Sequence, residues 1–340
     1  MTTRALVTGA TGFLGAHLVR ALSDLGMEVV AMVRPGSDTR GIERYRPRLA
    51  HADLTEPATL RPAVDGCELV FHCAAVVSFH RRDAAALRQT NVDGTRALVR
   101  AARDARVRRF VHTSTVAAIG YDHRGRPLDE TAPYNFGPLR IPYCDTKRAA
   151  EQIVLEEGVR QGLDAVIVNP SFIFGPGDRR KAAGSYLERV ARRPPWLAPA
   201  GGMNVVDVND VVSGHLLAAR RGRTGERYIL GGEDLSNRQL LTRICRIIGH
   251  RPPRVTVPAV ALRALATAAT WLDPLLGFRP PVTPEILRLL PFRKFYTSEK
   301  AARELDYAPY PIDMAIKATY DWMLDQDLLP PGTLRALGRV

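Results

Sequence analysis

The sequence predicts an α/β fold: a doubly wound parallel sheet with helices on both faces, joined to a smaller, discontinuous C-terminal region. Three observations lead to it. In the first half, short apolar runs alternate with segments of helical periodicity. A glycine-rich turn, TGATGFLG (Thr8–Gly15), separates the first apolar run from the first helical segment. In the second half, Pro-rich breaks at Arg193–Pro199, Arg251–Pro253, Phe278–Pro284 and Tyr307–Pro311 divide the chain into short pieces.

Arg4–Thr8 reads as the first strand. Behind the glycines, Phe13, Leu14, Leu18, Ala21, Leu22 and Leu25 recur at helical spacing until Gly26 stops the helix. Glu28–Val33, Arg48–Ala52, Glu68–Cys73, Arg109–Thr113 and Ala165–Asn169 read as further strands, and Ala84–Ala105 and Tyr143–Gly158 as helices. Val206–Arg220 returns to the pattern of the first half. Val257–Phe278 is apolar and Ala-rich but interrupted by Arg263 and Asp273-Pro274. It reads as a core or lid helix, the alternative being a surface that touches membrane or a lipidic substrate.

With 340 residues, 46% hydrophobic and 24% charged, the chain is long and apolar enough for a sizeable core, which excludes disorder, collagen and a small disulfide scaffold. No run approaches the ~18 apolar residues of a membrane span. The N-terminus, MTTRALVTGATG, does not read as a signal peptide. Cys67, Cys73, Cys144 and Cys245 form no CxxC pair and have no histidine at zinc-ligand spacing, so a reduced, cytoplasmic, metal-free protein is expected. The net charge is +13, carried by scattered arginines and by Lys147, Lys181, Lys294, Lys300 and Lys317. This distribution reads as a compositional habit rather than a nucleic-acid surface. An anionic substrate or an acidic carrier protein is the compatible alternative, and a homodimer stays open.

The glycine turn carries the first chemistry. Gly9 permits a tight turn, Gly12 lets backbone approach a pyrophosphate, and Gly15 lets helix and strand pack closely. An NAD-selective site places an acid at the end of the second strand. Here the strand ends at Val33 and Arg34 follows, a residue suited to a 2′-phosphate. NADP(H) is therefore favoured, with NAD(H) as the alternative.

Tyr143 and Lys147, in YCDTK, share a helix face at i and i+4. A free phenol titrates near pH ~10, and an adjacent ammonium lowers that value. The same lysine is placed to reach a nicotinamide ribose. A hydroxyl-rich strand end, His112-Thr113-Ser114-Thr115, precedes this helix and offers a group to hold a carbonyl oxygen.

TGATGFLG, HCAA (His72–Ala75), the Ser/Thr strand end and YxxxK together resemble the extended short-chain dehydrogenase/reductases, within the NAD-dependent epimerase/dehydratase superfamily. VRPGSD after the second strand and FYTSEKAARELDY near the C-terminus look like the branch of dihydroflavonol reductases, 3β-hydroxysteroid dehydrogenases and their bacterial relatives. The resemblance implies a Rossmann-type fold, with a dinucleotide-binding domain at 1–170 to which 203–232 returns, and a substrate-binding region at 171–202 and 233–340. It places Gly9, Thr11, Gly12, Phe13, Leu14 and Gly15 at the cofactor. Asp53 and Leu54 would meet the adenine; Cys73, Ala74 and Ala75 would line the cofactor. Asn91 would anchor the backbone of the site, and Asn169, Pro170 and Ser171 would sit by the nicotinamide. The family's catalytic hydroxyl falls on Thr115 rather than Ser114, through its distance from Gly120.

The implied activity is hydride transfer between NADP(H) and a ketone or secondary alcohol of a small-molecule, largely apolar substrate, with Tyr143 as proton donor, Lys147 keeping it acidic and orienting the ribose, and Thr115 holding the carbonyl oxygen. Val116-Ala117 after Thr115 supplies no acid pair for a dehydratase. A nucleotide-sugar epimerase is the alternative within the superfamily. A non-catalytic cofactor-sensing regulator is the alternative of another class, and the presence of both Tyr143 and Lys147 speaks against it. Substrate contacts are expected from Val76–Arg82, Tyr121–Arg140 and Phe172 onward, with Phe79, Tyr134, Phe136, Phe172, Phe174 and Trp196 as the aromatic candidates.

Overall fold

The computed structural model describes residues 2–178, 184–272 and 283–329. Its strands are β1 (Arg4–Thr8), β2 (Glu28–Val33), β3 (Arg48–His51), β4 (Leu69–His72), β5 (Arg109–Thr113), β6 (Ala165–Pro170), β7 (Phe172–Phe174), β8 (Leu197–Pro199), β9 (Gly202–Asp207), β10 (Arg227–Leu230), β11 (Glu233–Ser236), β12 (Val255–Val257) and β13 (Arg293–Lys294). The helices are α1 (Phe13–Asp24), α2 (Leu60–Val64), α3 (Ala84–Leu87), α4 (Thr95–Asp104), α5 (Pro142–Ile153), α6 (Gly184–Arg192), α7 (Val208–Arg221), α8 (Asn237–Ile248), α9 (Ala259–Leu272), α10 (Pro284–Leu289), α11 (Glu299–Leu305) and α12 (Ile312–Asp325).

Seven strands form one parallel sheet in the order β10-β6-β5-β4-β1-β2-β3. Both faces are covered over the inner strands, which is why these are largely apolar runs instead of alternating ones, whereas the edge strand β3 is largely exposed. Ala5, Val7, Val29 and Ala31 face a core shared with Leu18 and Leu22 of α1, Val211 of α7 and Leu305 of α11. Leu6, Val30, Phe110 and Ile167 face the opposite core, with Leu60 of α2 and Leu98 of α4. The chain starts at β1, runs outward to β3, and then returns to β4 on the other side of β1. That reversal opens a crevice at the carboxyl ends of β1 and β4, where doubly wound sheets bind ligands.

A smaller sheet, β11-β9-β13 with β7 also on β9, has its own core of Phe174, Leu187, Val205, Leu240, Ile244, Ile316 and Tyr320. Within residues 203–232, α7 packs on the large sheet and β10 forms its edge, whereas β9 is central to the small one.

Two helices depart from regular geometry. The segment expected as one helix over 84–105 widens into a π-type turn at Arg88–Gly94, and α5 does so at Val154–Gly158. Such bulges mark places where a side chain is re-aimed, and the first contains Asn91. The expected core or lid helix at 257–278 appears as α9, which buries Leu262 and Ala266 but leaves Val260 and Trp271 74% and 79% exposed, so it is not a core helix. Residues 273–278 of that stretch, and 278–282 of the Phe278–Pro284 break, lie outside the described residues.

Candidate active site

The crevice is built first by backbone. β1 ends at Thr8, and Gly9 turns the chain at φ +66°. A Cβ on Gly9 would stand 2.9 Å from the Ala74 Cα and amide nitrogen, because the turn rests on the segment leaving β4. Thr8 Oγ1 accepts from the Ala74 amide at 3.1 Å and fixes that approach. A Cβ on Gly15 would enter the Gly9 carbonyl group, 2.7 Å from its carbon. α1 begins at the N-cap Gly12 with no side-chain cap and no acid in its first turn. Its free amide groups and dipole therefore favour an anion in the crevice. Thr11 is exposed at the mouth, Leu14 packs toward the core, and Phe13 sits edge-on to His17 at 5.6 Å.

This geometry predicts the effect of Gly15→Ala. The new methyl must displace the Gly9 turn, so overpacking should cost about 1–3 kcal/mol of stability. Cofactor binding should weaken by more than the fold does. Thermal unfolding with and without NADPH checks this; full ligand stabilisation of the variant would show that the turn is not the binding element.

At the far end of the crevice Arg34 leaves β2 exposed, with no side-chain hydrogen bond or ion pair among the described residues. Asp53 Oδ1 accepts from the amide and hydroxyl of Thr55, both at 2.8 Å, so the carboxylate first orders its own loop. Leu54 is buried against Gly94, where a Cβ would meet its Cβ at 2.7 Å.

Below β4 a buried polar chain holds the floor of the crevice. The Thr95 hydroxyl donates to the Asn91 carbonyl at 2.7 Å, so it accepts from His72 Nε2 at 3.0 Å. His72 Nδ1 then accepts from Thr8 Oγ1 at 2.8 Å. Burial pushes the imidazole down to about 3, so His72 is neutral and structural. Asn91 spans the site: its Oδ1 accepts from the Val76 amide at 2.8 Å and its Nδ2 donates to the Val76 carbonyl at 2.9 Å. Cys73, Ala74 and Ala75 are thereby held extended along the crevice. Cys73 Sγ also accepts from Thr113 Oγ1 at 3.1 Å.

The candidate catalytic pair lies on α5. Tyr143, Lys147 and Glu151 recur every four residues along it. Burial pushes the Tyr143 phenol above its ordinary value, and a side-chain hydrogen bond with Thr115 acts in the other direction. In this arrangement burial, rather than acidification, sets the direction of the phenol's shift. Lys147 donates from Nζ to the Thr113 carbonyl at 2.8 Å. Burial pulls its ammonium down to about 8, against the opposing charge of Glu151.

Glu151 is fully buried. It pairs with Arg148 and Arg227, each at 3.2 Å, and accepts from Asn169 Nδ2 at 2.6 Å. The same Asn169 nitrogen donates to the Thr115 carbonyl at 2.9 Å, so this network positions Thr115. Asn169 Oδ1, Ser171 Oγ and Ser114 Oγ are buried without a partner. Together with the glycine cradle and the uncapped α1, these orphaned atoms fit a dinucleotide running from Arg34 to Ser171. Pro170 ends β6 between Asn169 and Ser171.

An apolar wall stands beside Tyr143. Tyr121, Phe136, Ile141 and Cys144 form its buried part, with Phe79, Tyr134, Leu139, Leu289 and Phe292 packed on it. Phe79 and Tyr143 have ring centroids 5.5 Å apart. Of the other aromatic candidates, Phe172 and Phe174 pack in the small sheet's core, and Trp196 is 79% exposed. Sequence reasoning gave Glu151 no role, although its spacing from Lys147 placed it on the face of Tyr143 and Lys147. It also missed Phe292 and Leu289, which come from the far C-terminal region.

Residues 5–231 match the NAD dependent epimerase/dehydratase family. The chain belongs to that family. Sterol demethylase protein B of Methylococcus capsulatus is 37% identical over 335 residues, covering 97% of this chain and 100% of the relative. A putative dihydroflavonol 4-reductase of Synechocystis is 36% identical over 321 residues, covering 93% of each. A crystal structure of a nucleoside-diphosphate-sugar epimerase from Pseudomonas aeruginosa superposes with a TM-score of 0.80 at 27% identity, covering 97% of this chain and 100% of that one. The protein is thus an NAD(P)-dependent oxidoreductase of the extended short-chain dehydrogenase/reductase group with a Rossmann-type fold. Among the described residues no helix is long and apolar enough to cross a membrane.

Proposed function

We propose that this enzyme reduces a ketone, or oxidises the matching secondary alcohol, of a largely apolar small molecule with NADP(H). The observation that carries this reading is the aromatic wall beside Tyr143 and Thr115. The relatives named for a sterol and a dihydroflavonol support a ring-bearing substrate. The nicotinamide, when bound, supplies or accepts the hydride. Thr115 donates a hydrogen bond to the carbonyl oxygen. Tyr143, whose raised phenol stays protonated at neutral pH, gives its proton to that oxygen as negative charge develops. Lys147 orients the ribose from its anchor on the Thr113 carbonyl. The aromatic wall excludes water from the reacting oxygen.

NADPH oxidation against a panel of cyclic and aromatic ketones, beside a panel of UDP- and dTDP-sugars, tests the reading. Ketone reduction supports it. Interconversion of nucleotide sugars without net cofactor oxidation would replace it with the epimerase reading that the Pseudomonas structure represents.

Arg34 supports the cofactor preference. Its exposed guanidinium follows β2, where no acid stands. A solvated charge-assisted contact with a 2′-phosphate lies at the low end of such interactions. Arg34→Ala should therefore weaken NADPH binding by about tenfold and leave NADH nearly unchanged. Calorimetric titration of both cofactors checks it. Equal affinities in the wild type, or parallel losses in the variant, would move the assignment to NAD(H).

A further inference from the structure

Lys294 stands in an unusual setting. It lies on β13, which is tied to β9 through the pairing Lys294↔Met203. Its Nζ donates to the Leu289 carbonyl at 3.1 Å, and Leu289 belongs to the aromatic wall beside Tyr143. Among the described residues no carboxylate pairs with it. The titratable group that faces it is the thiol of Cys144, the residue after Tyr143. Burial pushes that thiol up to about 12, so it stays protonated and supplies no counter-charge. Lys294 is half-buried, and an ammonium partly screened from water with one carbonyl partner and no anion is a destabilising arrangement. Burial accordingly pulls Lys294 down to about 8.

An anion entering along the aromatic wall would complete this site. Its oxygens would take the two unused donors of the ammonium, while the wall would hold the apolar body and Tyr143 the reacting oxygen. We propose that Lys294 binds a carboxylate carried by the substrate, so that the preferred substrate class is an apolar ketone or secondary alcohol that also bears an acid group. This deepens the reductase reading and rests on it. Lys147 does not compete for the role, since its ammonium is engaged by the Thr113 carbonyl and faced by Glu151.

The test uses the full-length protein and two probes, 3-oxocyclohexanecarboxylate and its methyl ester. In Lys294→Met, kcat/KM for the acid should fall at least about tenfold more than for the ester, mainly through KM. Lys294→Arg should retain most of the acid's advantage. A second arm does not depend on turnover. Acetic anhydride labelling of Lys294, read by mass spectrometry, should be slowed by cyclohexanecarboxylate and not by cyclohexanemethanol. Equal losses for acid and ester, or labelling indifferent to the carboxylate, would overturn the proposal. If no ketone is turned over but the carboxylate still protects Lys294, the reductase reading fails and the carboxylate site stands.

Discussion

Tyr143→Phe should lower turnover by at least ~100-fold, the usual scale of a lost general acid, while leaving the fold and cofactor affinity in place. The ring is held by contacts that phenylalanine keeps, the tilted packing on Phe79 at 5.5 Å and the wall of Tyr121, Phe136 and Ile141. What disappears is the proton. Burial holds the phenol above its ordinary value, so across neutral pH the hydroxyl is a donor waiting for a stronger base. A developing alkoxide is such a base and a ground-state ketone is not, which makes the contribution specific to the transition state. The loss should therefore appear in kcat, with KM for ketone and cofactor changing little. Steady-state kinetics with NADPH, together with cofactor titration of the purified variant, separates these terms. Near-normal turnover in a variant that binds NADPH would remove Tyr143 from the reaction.

Six strands of the large sheet were legible, the inner ones because they are buried on both faces; β3 is largely exposed, and the edge strand β10 was not read from the sequence. Runs such as Val29-Val30-Ala31-Met32-Val33 carry no polar residue, and β1, β2 and β5 have the bounds read from the sequence. The glycine turn was legible for a steric reason: Gly9 and Gly15 each occupy a position a methyl group would disrupt. The small sheet and the separate β8–β12 pair were not, since β7, β8, β12 and β13 have three residues or fewer and pair across long separations. No local periodicity encodes Val255 opposite Leu197. Glu151 was passed over because a carboxylate on a helix is ordinarily solvated. Its burial is made tolerable by Arg148 on the same helix together with Arg227 from β10 and Asn169 from β6, the last two of which no local pattern brings near. Lys294 escaped notice for the converse reason, because no carboxylate among the described residues marks it. The wall beside Tyr143 draws on residues from 79 to 292, so its composition becomes visible only in three dimensions.

Lys147→Met should produce the second large effect, a loss of ~100-fold or more in kcat/KM at neutral pH, together with a changed pH profile. The lysine is buried, anchored to the Thr113 carbonyl at 2.8 Å, and drawn down to about 8 by burial. Tyr143 is displaced in the opposite direction. In the free enzyme, raising the pH therefore removes the proton of Lys147 before that of Tyr143. For ketone reduction, wild-type kcat/KM should fall on its alkaline side near pH 8, and this limb should be missing in the variant. Glu151→Gln, which removes the charge that helps keep Lys147 protonated, should move the limb to lower pH. Stability should respond with the opposite sign. Because the folded-state value lies below the ordinary lysine value near ~10.4, the unfolded chain binds more protons between the two, and the fold gains stability as pH rises through that interval. Activity thus declines while stability climbs over the same range. A structural lysine would give only the stability change, so measuring both quantities for wild type and Lys147→Met from pH 6 to about 10 separates the roles. An unchanged activity profile in the variant would leave Lys147 as a buried tie between α5 and β5 and return the proton chemistry to Tyr143 and Thr115 alone.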